Sequence, residues 1–235
     1  MVNSSLNRLI YKLFPGRCVL CMASSRRHLD LCVDCERSLP WLERQCRRCA
    51  LPLDGDDGAM CGQCLTNPPH FQRCLCPLRY DFPVDRLITG LKHHGRLPYS
   101  RVLSQLWLQQ LEDRALASTP DLILPVPLHW RRQLFRGFNQ SRFIAEDLAR
   151  ALDIPLVDPL RRRRSTPPQQ GLSAAQRRRN LRRAFIAKAD AELSARHIAL
   201  VDDVVTTGST ANTLAKLLLD CGARRVDVWC MARTP

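Results

Sequence analysis

His197-Ile-Ala-Leu-Val-Asp-Asp-Val-Val-Thr-Thr-Gly-Ser-Thr210 places an apolar run, an acidic pair and a hydroxyl-rich turn in succession. The run Ile198 to Val201 reads as a buried strand, and Asp202 and Asp203 fall where that strand is expected to end. Thr206, Thr207, Gly208, Ser209 and Thr210 form the turn. A helix should follow, with Leu214, Leu217, Leu218 and Cys221 on one stripe and Gly222 as its stop. Backbone N–H groups at a helix N-terminus, backed by hydroxyls, cradle phosphate. Paired acids accept hydrogen bonds from a cis-diol or hold a hydrated Mg²⁺. Diol, phosphate and magnesium together describe a phosphorylated ribose. The bland alternative is an ordinary strand–turn–helix with an incidental acidic pair.

The run resembles the phosphoribosyl pyrophosphate (PRPP) motif of type I phosphoribosyltransferases: a hydrophobic strand, two acids, then Thr-Thr-Gly-x-Thr. The resemblance implies that Asp202 and Asp203 are the catalytic acids and bind the ribose 2′ and 3′ hydroxyls. It implies that Val204, Val205 and Thr206 to Thr210 line the 5′-phosphate site, with Mg²⁺ arriving on PRPP.

At 235 residues and 45% hydrophobic, the chain is long enough for one medium domain and a small one. Its formal net charge is +14, and only Lys12, Lys92, Lys188 and Lys216 among the 36 basic residues are lysines. Arginine's planar fork suits bidentate phosphate binding, so this bias favours phosphate-rich ligands or nucleic acid. A GC-rich genome explains the choice of Arg over Lys as well, but not the excess of positive charge. No apolar stretch reaches the roughly 18–20 residues of a membrane span. Met1 to Arg17 carries a helical stripe (Leu6, Leu9, Ile10, Leu13, Phe14) without the continuous apolar region of a secretory signal. A cytoplasmic protein is expected.

Twelve cysteines in such a protein call for something other than disulfides. Eight form four Cys-x-x-Cys knuckles: Cys18/Cys21, Cys32/Cys35, Cys46/Cys49 and Cys61/Cys64. Ten residues separate the first two knuckles and eleven the last two. Two knuckles complete one tetrahedral four-thiolate zinc site, so about two structural Zn²⁺ ions are expected. Sequential pairing gives two tandem zinc ribbons; interleaved pairing, redox dithiols and an iron–sulfur cluster are the competing readings. Cys74 and Cys76 have a Cys-x-Cys spacing that could extend a metal site but are expected to begin a strand, and Cys221 and Cys230 to act as small buried hydrophobes.

The cysteine-dense segment ends near Thr66-Asn67-Pro68-Pro69-His70, which divides the chain into a ribbon domain, 1–70, and a second domain, 71–235. Zinc supplies the staple that the first segment is too small to do without. Beyond it, strand and helix patterns alternate, arguing for a parallel α/β sheet. Strands are expected at Arg73–Tyr80, Leu122–Val126, Arg196–Val201 and Arg225–Met231. Helices are expected at Asp85–His94, Tyr99–Leu116 and Ser141–Leu152.

In doubly wound sheets ligands bind outside the carboxyl ends of the strands. The loop Pro127 to Gln140 should therefore face the same crevice as Asp202. Its Arg131, Arg132 and Arg136 suit pyrophosphate, with Gly137 allowing close backbone approach, although a solvated basic loop reads the same way. A third segment holds Arg161–Arg164 and Arg177–Arg179, then Arg182 and Arg183. Ser165 to Gly171 between them reads as a mobile loop, and Ser173-x-x-Gln176 as a capping box opening a basic helix. These charges fit a loop closing over substrate, a nucleic-acid surface or a solvated helix.

Together the pieces resemble the ComF/GntX family: the cysteine knuckles, Pro-Val-Pro-Leu (125–128), Arg-Gly-Phe-Asn-Gln (136–140), Gln-x-x-Leu-Ser-Ala-Ala-Gln-Arg-Arg-Arg-Asn-Leu (169–181) and Val-Asp-Asp-Val-Val-Thr-Thr-Gly-Ser-Thr (201–210). The resemblance covers nearly the whole chain. It implies a type I phosphoribosyltransferase-like parallel-sheet domain preceded by a double zinc ribbon. It also implies a part in taking up or using external DNA, with DNA or DNA-processing proteins as partners. The alternative is an active phosphoribosyltransferase joining PRPP to an amine or nucleobase. No segment identifies a second-substrate pocket, and Val2 after Met1 leaves no N-terminal cysteine for glutamine hydrolysis.

Overall fold

The computed structural model describes residues 16–54, 59–113, 119–163, 184–188 and 192–235. The N-terminal stripe to Phe14, Arg164, the 165–171 loop, the 173–176 capping box and Arg177–Arg183 lie outside the described residues.

Seven strands are described: β1 (Arg73–Leu75), β2 (Leu78–Arg79), β3 (Leu122–Pro125), β4 (Leu160–Arg162), β5 (Phe185–Ala187), β6 (His197–Val205) and β7 (Arg225–Arg233). The helices are α1 (Val33–Arg37), α2 (Gly62–Thr66), α3 (Val84–His94), α4 (Pro98–Asp113), α5 (Trp130–Arg136), α6 (Gln140–Leu152) and α7 (Ser209–Asp220). The main sheet runs β1-β7-β6-β3, with β2 also on β7, and every pairing in it is parallel. β4 and β5 form a separate antiparallel pair.

Alternation along β6 explains the layering. Ile198 and Leu200 enter one core cluster with α7, while Ala199 and Val201 enter another with α3, α4 and α6. Both faces are covered, so the strands read as continuous apolar runs. Trp107 of α4 lies against Trp229 of β7, ring centroids 4.6 Å apart. Asp227 is buried on β7 and takes hydrogen bonds from Arg225, with His197 Nε2 3.0 Å away. Next to the first residue of β6, this network serves the fold.

The cysteine-rich segment is not a free appendage. Cys18, Leu29, Leu31 and Leu39 belong to the same core cluster as β1, α3 and α4. Leu42 and Ala50 join the opposite cluster, and Trp41 bridges to Leu78 of β2.

Several boundaries differ from the expectation. The strand expected over Arg73–Tyr80 is split into β1 and β2 around Cys76-Pro77, since proline has no N–H for the ladder. The loop after β3 contains a short helix, α5, whose N-cap is His129 and whose stop is Gly137 at φ 80°. α6 starts one residue before Ser141, and the helix expected over Tyr99–Leu116 runs from Pro98 to Asp113, with 114–118 outside the described residues. β6 and β7 both extend further than expected, to Val205 and Arg233. Cys230 is buried as expected, 3.7 Å from Cys74, but Cys221 is exposed because α7 has ended at Asp220.

Candidate phosphate-loop site and metal centres

Asp202 and Asp203 do not end β6; they sit within it, ahead of Val204 and its last residue, Val205. The expectation of a strand end failed because the ladder to β7 continues beyond the apolar run, pairing Val204 with Ala232 and Val205 with Arg233. Asp203 is buried, and its Oδ2 lies 2.8 Å from Lys92 Nζ of α3. Its Oδ1 accepts from Val204 N at 2.8 Å. Asp202 is half-buried, and its Oδ1 accepts from Ser141 Oγ of α6 and from Asp203 N, both at 2.9 Å. Burial and the adjacent Asp203 carboxylate push the Asp202 pKa up to about 7, against the opposing pull of Lys92 and the Ser141 hydroxyl.

The turn that follows is built from its own hydroxyls. Thr207 Oγ1 is 2.8 Å from Ser209 Oγ and accepts from Ser209 N at 3.3 Å, while Gly208 takes φ 72° at the N-cap of α7. That left-handed φ is why glycine stands there. A cavity of about 170 Å³ is lined by Asp202, Val204, Val205, Thr206, Thr207, Gly208, Ser209, Thr210 and Ala211. Asp202 and the hydroxyl turn thus open on one space, with Asp203 next to Asp202 in the chain but outside the cavity lining. Beneath the turn, buried Arg233 donates to the carbonyls of Val205, Thr206 and Thr234 and to that of Cys49.

The arginines of the α5 segment divide. Arg131 is exposed and stacks over Trp130, its guanidinium carbon 5.3 Å from the ring centre. Arg132 is also exposed. Arg136 is half-buried and donates to Gln140 Oε1 at 3.3 Å. Burial and Arg132 lower its pKa, and the Asp203 charge opposes them. Arg162 of β4 behaves alike: burial and Arg132 lower its pKa and Asp202 raises it. Gly137 has nothing within 4 Å of where a side chain would begin. Asn139 caps α6 by accepting from Ser141 N at 3.2 Å and donates to Val126 O at 3.0 Å, which fixes Ser141 against Asp202.

Sequence reading missed Lys92, Ser141 and Arg233. Lys92 carried one available signal, an amine among the apolar residues of a core helix. Ser141 sat beside the Arg-Gly-Phe-Asn-Gln run, and Arg233 lay beyond the expected end of its strand.

The cysteines resolve into two groups, Cys18/Cys21/Cys32/Cys35 and Cys46/Cys49/Cys61/Cys64, with all Sγ atoms of each within 4.8 Å of one another. Pairing is sequential, not interleaved. Four converging sulfurs per group fit one tetrahedral Zn²⁺. In each group a backbone-cradled thiol is poised as thiolate: burial raises Cys18, but N–H groups of Cys21, Cys32 and Leu20 outweigh it and bring it to about 6. Cys46 is brought to about 7 in the same way, chiefly against burial, by N–H groups of Cys61, Cys49 and Arg48. Burial raises Cys35 and Cys64, and neighbouring thiols add to it, the repulsion a cation relieves. The two clusters are structural zinc sites.

Two family models match the chain. Residues 9–65 match the family model of the double zinc ribbon domain, and residues 139–235 that of the phosphoribosyl transferase domain. The chain is 40% identical over 225 residues to the DNA utilization protein YhgH of Escherichia coli O157:H7, covering 94% of this chain and 98% of the relative. It is 35% identical over 229 residues to Competence protein F of Haemophilus influenzae, with coverage of 94% and 98%. Among solved structures it is similar to a purine phosphoribosyltransferase from Pyrococcus horikoshii, with 18% identity, 69% of this chain and 78% of that one covered, and a TM-score of 0.35. With two tetra-cysteine clusters ahead of a parallel sheet that carries the acid pair and hydroxyl turn, the chain belongs to the ComF/GntX family of DNA-utilisation and competence proteins.

Proposed function

We propose that the chain serves the uptake or use of external DNA in the cytoplasm, and that its 71–235 domain binds PRPP with Mg²⁺ while residues 1–70 carry the zinc. The observation that carries the ligand is the shared cavity. Asp202, anchored by Ser141, and the Thr206–Thr210 turn line one space, and Asp203, paired with Lys92, lies beside them. In this reading Asp202 and Asp203 accept hydrogen bonds from the ribose 2′ and 3′ hydroxyls. Val204, Val205, Thr206, Thr207, Gly208, Ser209 and Thr210 enclose the 5′-phosphate. Arg136 and Gly137 at the end of α5, with Arg131 and Arg132 along it, face the pyrophosphate. In this reading Arg162, whose charge interacts with that of Asp202, adds to the positive potential around the site.

Mg²⁺, when bound, neutralises the pyrophosphate oxygens and favours their departure. The protein's own part is to hold the ribose rigidly where positive charge would develop at its anomeric carbon, next to two carboxylates. The described residues support this holding role. The DNA role follows the names of the relatives and the excess of arginine.

Calorimetry of the zinc-loaded chain with PRPP and Mg²⁺ tests the reading. Asp203→Ala should lower affinity roughly 10- to 100-fold, the worth of a hydrogen bond to a charged group. Equal affinity in variant and wild type would make the motif structural only. Pyrophosphate release in the presence of amines or nucleobases would turn the binding domain into an active transferase.

A further inference from the structure

We infer that Arg233 is a positioning residue through which the second zinc ribbon holds the phosphate loop in its binding shape. The inference takes its ligand from the ribose-phosphate reading above, but the strut itself stands without it.

Arg233 ends β7 with only 6% of its surface exposed. Its guanidinium donates to backbone carbonyls on two sides and to the Thr234 hydroxyl. Nε donates to Cys49 O at 3.1 Å. Nη1 donates to Val205 O at 3.3 Å, to Thr234 O at 2.6 Å and to Thr206 O. Cys49 is the second sulfur of a knuckle, so its carbonyl is placed by the metal-binding turn of Cys46, Cys49, Cys61 and Cys64. Val205 and Thr206 open the phosphate loop. One buried side chain therefore spans the zinc knuckle and the loop, 28 residues away along the chain from Val205 and 184 from Cys49.

The effect on the loop follows from peptide geometry. In a planar trans peptide the C=O and the next N–H point in opposite directions. Drawing the carbonyls of Val205 and Thr206 onto Arg233 turns the N–H groups of Thr206 and Thr207 away from it. Arg233 is absent from the walls of the 170 Å³ cavity, which both threonines line. It lines instead a second cavity of about 440 Å³ between the ribbon and the loop, with Cys49, Cys64 and Thr206. The loop lines both cavities, and the carbonyls of Val205 and Thr206 are the ones committed to Arg233. Only a planar fork reaches Cys49 and Thr206 together; a lysine ammonium is a single point.

Because coupling between two sites is reciprocal, a ligand that fixes the loop must also steady the second zinc cluster. The experiment compares full-length, zinc-loaded Arg233→Lys and Arg233→Met with wild type. Both should retain two zinc ions while amides of residues 205–209 exchange several-fold faster with solvent. PRPP–Mg²⁺ affinity should fall roughly 10-fold, as for one or two lost charged hydrogen bonds. Unchanged exchange in 205–209 overturns the strut whether or not PRPP binds. Absence of PRPP binding by wild type defeats only the ligand reading. Should the variants fold poorly, wild type alone decides. With a chromogenic chelator, saturating PRPP should slow release of one zinc ion and not the other, whereas equal rates with and without PRPP overturn the coupling.

Discussion

Lys92 Nζ stands 2.8 Å from Asp203 Oδ2, tying α3 to the second acid of the phosphate-loop motif. The carboxylate side chain is 5% exposed and the lysine 23%. Two adjacent carboxylates in such a place repel, and the ammonium relieves them: it lowers the Asp202 pKa against burial and against Asp203. Removing one partner of a buried pair leaves an uncompensated charge. Lys92→Met should therefore destabilise the fold by about 1–3 kcal/mol, below the fully buried case because water reaches the lysine. Urea unfolding reads the change directly. A variant as stable as wild type would mean that solvent, not Lys92, balances Asp203.

The raised Asp202 pKa carries a sign for stability. In the unfolded chain the group titrates near 3.8, and in the folded chain burial and Asp203 bring it to about 7. Between those values the folded state holds a proton that the unfolded state has lost. The contribution of Asp202 is thus fully present below pH 3.8 and is lost as pH rises through about 7. Asp202→Asn removes this dependence. Its thermal midpoint should exceed that of wild type at pH 8, with the gap closing toward pH 5, while PRPP binding is lost. A wild-type advantage at pH 8 would show that the Ser141 and Asp203 N–H bonds outweigh the burial of the charge.

Zinc removal should act unequally on the two ribbons. Elemental analysis should find about two zinc per chain, and Cys18→Ser or Cys61→Ser one each. Cys18 shares a core cluster with β1, α3 and α4, whereas Cys46, Cys61 and Cys64 form a small cluster of their own. Cys18→Ser should therefore lower the global unfolding midpoint more than Cys61→Ser does. Iron in fresh protein, or a full zinc complement in either variant, would contradict the four-cysteine assignment.

Much of this was legible in the residues because the signals were local. Cys-x-x-Cys spacing marks a knuckle by itself, and the strand–acid–hydroxyl run marks the loop by itself. What was not legible depended on long-range packing. The apolar run ended at Val201, but β6 continues to Val205 because β7 lies alongside it. Lys92 reads as an ordinary helix residue until α3 is laid against β6. Arg233 looks like a terminal arginine until the ribbon folds back over the end of β7. The Arg-Gly-Phe-Asn-Gln run carried the family resemblance without roles for its last two residues, and the structure shows Asn139 capping α6 and Gln140 accepting from Arg136. Side chains that serve the site indirectly leave no spacing of their own.

The excess of arginine makes a prediction about DNA. The net charge is +14, and Arg161 to Arg164 with Arg177 to Arg183 concentrate it in sequence. Of the described members, Arg162 is half-buried with its guanidinium carbon 5.3 Å from the centre of the Phe185 ring, while Arg161 binds Asp158 and stays about half exposed. Arg162 is thus the half-buried member assigned to the ribose-phosphate site, and Arg161 a member left to the surface. Phosphate neutralisation releases counterions, so DNA affinity should fall steeply with salt, by a slope near 0.9 per duplex phosphate contacted. Replacing Arg161, Arg177, Arg178 and Arg179 by Gln should make that slope shallower while leaving PRPP affinity unchanged. Arg162→Gln should do the reverse, weakening PRPP and sparing DNA. Full displacement of DNA by PRPP would assign the whole cluster to the pocket, and simultaneous binding would assign the outer arginines to a separate surface. Failure to retain DNA at low salt would remove direct contact, leaving DNA use to act through protein partners.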